Sequence, residues 1–168
     1  MNQTRSKSAL VGSMLLALLT ATPSPDAAAQ NSPNGPAALS CVEPARMTPV
    51  HLYGLWQLTL WPLDGLETEP HSRGAVLFER HPEYEGSVRG RLKRTDTGND
   101  REALLSGDVV DGEANFDESA DGVALDAVWI GEPAACGLEL RGTRRPADGR
   151  PADAPVLNFL LKKAPGWR

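Results

Sequence analysis

Three histidines, His51, His71 and His81, are the first residues to test for chemistry, because two or three of them at short spacing would announce a metal. They share neither an H-x-H nor an H-E-x-x-H spacing, so no metal is expected from them, and nothing else in the chain implies a cofactor. Glu79, Glu83 and Glu85 flank His81 and could divide acid and base work. Carboxylates around a tight turn are more commonly just solvated. The run Asp117-Glu118-Ser119-Ala120-Asp121-Gly122 places side-chain oxygens at alternate positions with a glycine for the bend, as a calcium loop does. Val128 stands at the twelfth position, where an EF-hand needs a bidentate glutamate, so a solvated turn is the better reading. The sequence has no G-x-S-x-G elbow, P-loop or nucleotide fingerprint. No catalytic residue is assigned, and the protein is expected not to be an enzyme.

Binding chemistry has better candidates. Arg89, Arg91 and Lys93 alternate along one stretch and form a basic stripe, joined in sequence by Arg94. Such a stripe pairs with acidic residues on a neighbouring strand, or serves as the basic rim of an anionic ligand's site. Trp56 and Trp129 fall on apolar faces and read as core aromatics or as stacking walls of a cavity. Trp61 shares a face with Gln57 and Thr59 and suits a rim, while Trp167 lies in the C-terminal tail. Cys41 and Cys136 are the only cysteines. In an exported chain an even count points to one disulfide between them, since no C-x-x-C or nearby histidine suggests a metal or redox role.

These residues sit on a succession of short alternating segments. The clearest is Gly54-Leu55-Trp56-Gln57-Leu58-Thr59-Leu60-Trp61-Pro62, in which Trp56, Leu58 and Leu60 share one face. Its period of two, bounded by glycine and proline, predicts a strand over 54–61. Further strands are predicted over 74–80, 84–94, 103–110, 113–117, 123–130, 137–144 and 156–163. Asp111-Gly112 is the strongest hairpin signal, Gly131-Glu132-Pro133 reads as a break, and Pro44 and Pro49 oppose a helix before the first strand. Eight short strands joined mostly by short turns define an all-β fold, either an antiparallel up-and-down barrel or a β-sandwich. In the third strand Gly86, Val88, Gly90 and Leu92 alternate with the basic stripe, and glycines on an inner face suit a tightly curved wall.

A G-x-W opening the first of eight meandering strands resembles the calycin group, the lipocalin-like and avidin-like barrels. The resemblance covers roughly residues 52–163 and is one of layout. It implies a closed barrel with Trp56 plugging one end and a basic residue of a late strand packed on its ring, for which Lys162, Lys163 and Arg144 are candidates.

The N-terminus reads as a secretory leader: Arg5 and Lys7, an apolar run over 9–19, and Ala27-Ala28-Ala29 as the cleavage site. The apolar run falls short of the ~20 residues that span a bilayer, so no membrane span is expected after cleavage near Ala29. The expected organisation is a leader over 1–29, a flexible segment over 30–51 and a barrel over 52–168, in a periplasmic or secreted protein. A net charge of −5 argues against nucleic acid as a partner. The expected function is binding of a small apolar or amphipathic ligand inside the barrel by Trp56, Leu58, Val88, Gly90, Trp129 and Phe159, beneath the rim stripe Arg89, Arg91 and Lys93. The inward set also includes Leu60, Leu92, Phe116, Leu125, Leu157 and Leu161, with Gly86. The alternative is a protein-interaction module, such as a periplasmic protease inhibitor. A hollow interior would favour the first reading and a filled one the second.

Overall fold

The computed structural model describes residues 41–96, 99–151 and 154–166; the expected leader, the segment up to residue 40 and Trp167 lie outside the described residues. Eight antiparallel strands follow one another around a closed barrel: β1 (Gly54–Pro62), β2 (Ser72–Arg80), β3 (Val88–Asp96), β4 (Asn99–Val110), β5 (Glu113–Ser119), β6 (Ala127–Ala134), β7 (Glu139–Pro146) and β8 (Leu157–Lys163). The ring closes where β1 pairs with β8, Leu58 standing opposite Leu161 and Leu60 opposite Phe159. Closure leaves no free sheet edge. It decides against the sandwich and fits a calycin-like layout.

Each strand turns its apolar parity inward. In β1 the inner residues are Trp56, Leu58 and Leu60, all buried. In β3 they are Val88, Gly90 and Leu92, and the same parity continues to a buried Arg94. Asp111 and Gly112 both adopt positive φ, 52° and 86°, the geometry that a two-residue turn between β4 and β5 requires and that glycine supplies without strain.

Three expectations about the strands are corrected. β6 starts at Ala127, four residues later than predicted, so Val123 and Leu125 lie in the preceding loop and are exposed rather than inward. The strand then runs through Gly131-Glu132-Pro133 instead of ending there, with Pro133 buried and opposite Leu140 of β7. Its missing N–H is tolerated because β5 pairs with β6 only as far as Gly131. Gly86 precedes β3 at φ 81° and is exposed, so it does not belong to the inner face.

The chain before β1 closes one end of the barrel. Pro44 and Pro49 open a 3₁₀ turn (Pro44–Arg46) and a one-turn helix, α1 (Pro49–Leu52), at the positions where an absent N–H costs nothing. Met47 and Leu52 are buried in the barrel core. Cys41 and Cys136 form a disulfide with Cα atoms 4.5 Å apart, tying this segment to the turn between β6 and β7. A loop of 95 residues closed in this way is worth about 4–5 kcal/mol in the chain-entropy account.

Candidate functional site

Three regions bear on function: the interior, a groove on the wall, and the end of the barrel away from α1. The interior holds every residue expected to line a ligand cavity. Trp56, Leu58, Val88, Gly90, Trp129 and Phe159 are buried and belong to one packed core. Phe78, which sequence reasoning did not place, joins Trp56 edge-on at 6.4 Å between centroids and Phe116 at 5.0 Å. Trp129 and Phe159 make a second pair at 5.0 Å. The space that Gly90 leaves on the inner wall is taken: a Cβ there would stand 2.9 Å from Phe78 Cε1 and 3.0 Å from Leu105 and Val76. Beside β3, aromatic and aliphatic side chains therefore occupy the place where a ligand was expected.

The resemblance implied a basic residue over Trp56. Of its three candidates, Lys163 takes the place, with Nζ 5.4 Å from the ring centroid and a hydrogen bond donated to the carbonyl of His51. Burial lowers the pKa of this lysine. The indole N–H of Trp56 is satisfied in turn by the carbonyl of Leu52, at 2.6 Å.

The basic stripe runs along the outside of β3 and rims no internal space. Arg89 and Arg91 approach Glu79 of β2 at 3.6 and 3.7 Å, and Lys93 approaches Asp100 and Glu102 of β4 at 3.7 and 3.4 Å. These are the cross-strand pairs of the simpler reading, and at such exposure each is worth under about 1 kcal/mol. His51 and His81 are occupied locally. His51 Nδ1 accepts the Thr48 backbone N–H at 3.0 Å, and His81 Nδ1 accepts those of Glu83 and Tyr84 at 3.1 and 3.0 Å. His71 is exposed.

The acidic turn is a structural loop. Asp121 Oδ1 accepts the backbone N–H groups of Val123 and Ala124, each at 2.8 Å, and the Ser119 hydroxyl at 3.1 Å. Hydrogen bonds to its charged form, that of Ala124 above all, hold the Asp121 pKa below the ordinary carboxylate value. Asp126 Oδ2 accepts the N–H of Ala120 at 2.6 Å, and Arg150 donates to the carbonyl of Leu125 at 3.0 and 3.1 Å. Thus fastened, the loop presents Val123, 91% exposed, and Leu125 beside Tyr84 and Leu104. These four side chains line a wall groove of about 490 Å³ together with His81 and Arg89.

Glu118, the second residue of that turn, behaves differently. It lies on the inward parity of β5, two positions after Phe116, and is buried. Its Oε2 accepts the indole N–H of Trp129 at 2.9 Å and Arg144 Nε at 2.7 Å, while Oε1 accepts Arg144 Nη2 at 3.0 Å. Arg94 comes in from the last inner position of β3 and is 7% exposed. Its Nε is buried with no hydrogen-bond partner among the described residues. Desolvation lowers its pKa, opposed chiefly by the charge of Glu118. Above this ionic layer lies a cleft of about 410 Å³ whose lining includes Arg94, Arg101, Arg144 and Arg150. Sequence reasoning missed the cluster, although the signal was present: Arg94, Glu118 and Arg144 each continue the inner parity of an apolar strand.

No known family pattern matches the chain, and no curated protein matches it.

Proposed function

We propose that the protein is an exported, non-enzymatic interaction module that engages a protein partner through the wall groove over β3–β5 and the 120–126 loop. The observation that carries this reading is the contrast between a packed interior and an exposed apolar groove. Val123, Leu125, Leu104 and Tyr84 gather at one place, outside a barrel whose inner wall beside β3 is filled. Clustered apolar side chains kept in water mark interaction surfaces more often than isolated ones do. The hydrogen bonds of Asp121, Asp126 and Arg150 order the loop beforehand, which lowers the entropic cost of docking. The leader-like N-terminus and the disulfide support export to the periplasm or beyond.

Site-specific photo-crosslinking in cells exporting the full chain tests the proposal. A photoreactive residue at Val123 or Leu125 is expected to give a discrete protein adduct that is absent when the probe sits at Gln57, an outward position of β1. Adducts equal at all three sites, or none, would reject the groove. A single small molecule of defined mass retained in native mass spectrometry would instead restore the reading as a carrier of a small apolar ligand.

A further inference from the structure

We propose that the cleft over Arg94, Glu118 and Arg144 is a second binding site, specific for a small oxyanion: a carboxylate or a phosphate monoester. It shares no lining residue with the wall groove, and it stands or falls independently of the protein-partner reading. The argument begins with how the charges in the cleft are committed. Its carboxylates are occupied. Glu118 accepts three hydrogen bonds from Trp129 and Arg144, Asp126 is paired with Arg150, and Glu102 faces Lys93 at 3.4 Å. The arginine side is not occupied to the same degree. Arg94 is more than nine-tenths buried, and its Nε has no acceptor among the described residues. The nearest carboxylate oxygen paired with it is Asp96 Oδ2 at 3.9 Å, beyond hydrogen-bond distance, and that oxygen also serves Arg101.

A buried guanidinium N–H without an acceptor is costly, and interiors normally supply one. Glu118 favours Arg94 by its charge, but its hydrogen bonds are with Trp129 and Arg144. The unused capacity at this end of the barrel is therefore the Nε donor of Arg94, a residue lining a cleft large enough for a small organic anion. Arg101 and Arg150 stand at the cleft's more exposed edge and add positive charge along the approach. An oxyanion would supply the acceptor that Arg94 lacks, in a setting where charge-assisted bonds are strongest.

The test uses the full chain with its tryptophans labelled with ¹⁵N, titrated separately with inorganic phosphate and with succinate at constant ionic strength. The indole N–H of Trp129 is the reporter, since it is bonded to Glu118 beside Arg144 and Arg94. The expected result is a saturable shift of the Trp129 resonance with one of the two anions, and the responding anion identifies the source chemistry. The indole resonance of Trp56, whose N–H is bonded at the other end, is expected to stay still. Arg94→Met should weaken binding roughly tenfold or more, while Arg91→Ala, on the outer wall, should leave it unchanged. No saturable shift with either anion, or an unaltered midpoint in a folded Arg94→Met protein, would overturn the site. If Arg94→Met does not fold, the Nε–Hε resonance of Arg94 in the unmodified protein decides: a saturable shift supports the site and its absence overturns it.

Discussion

Each end of this barrel buries a tryptophan and sets a cation beside it, and the two ends treat the cation differently. At the α1 end, Lys163 lies over the Trp56 ring and donates to the carbonyl of His51, while Leu52 receives the indole N–H. The charge is half-buried and its donor has found partners. At the other end Glu118 ties Trp129 to Arg144, but the neighbouring Arg94 is buried with an Nε that bonds to none of the described residues. One end is a closed piece of architecture, sealed further by Met47 and the disulfide. The other keeps binding capacity in reserve. A buried charge is thus ambiguous until its hydrogen bonds are counted.

The largest effect expected from breaking this comparison is at the sealed end. Trp56→Ala should cost about 3–5 kcal/mol by denaturant unfolding, since it empties a fully buried site and orphans the Lys163 contact. At the ionic end, Glu118→Gln should cost about 2–3 kcal/mol, less than a fully sealed pair because the cleft opens above it. The two losses should respond differently to salt. Unfolding in 0.1 and 1 M NaCl should leave the Trp56→Ala deficit unchanged and shrink that of Glu118→Gln, as screening relieves the repulsion between Arg94 and Arg144. Equal salt responses would mean that the ends do not differ in kind.

A smaller effect sharpens the contrast between inside and outside. Gly90→Ala places a methyl within 3.0 Å of Phe78, Leu105 and Val76, and overpacking of this kind costs about 1–3 kcal/mol. Unfolding midpoints equal to or above those of the parent would reveal open space beside β3 and return the ligand to the interior.

Most of the architecture could be read from sequence because one constraint governs it: a half-buried strand must alternate. The eight strands, their meander, the Asp111-Gly112 turn and the Cys41–Cys136 pairing follow from parity, turn chemistry and cysteine count. The same rule misled at β6. Val123 and Leu125 extend the parity of Ala127 and Trp129 backwards through a loop, and periodicity alone cannot tell an inward leucine from one held outward by Asp121 and Asp126. At Pro133 the local rule was correct about the lost N–H, but it could not know that β5 stops at Gly131. The ionic layer was overlooked for a different reason. Arg94, Glu118 and Arg144 lie far apart in sequence, and only barrel closure brings three strand ends to one mouth. Arg94 was grouped with its basic neighbours, although its parity set it with Val88, Gly90 and Leu92.

The most direct test of the account removes the cation at each end in turn and compares stability. Lys163→Met should lose about 1–2 kcal/mol, because a cation–π contact and a hydrogen bond disappear together. Arg94→Met should leave stability unchanged or raise it by about 1 kcal/mol, because an under-bonded charge leaves the interior while Glu118 keeps Arg144. Losses of the same size in both variants would make Arg94 an ordinary structural cation and contradict the division between a sealed end and a binding end.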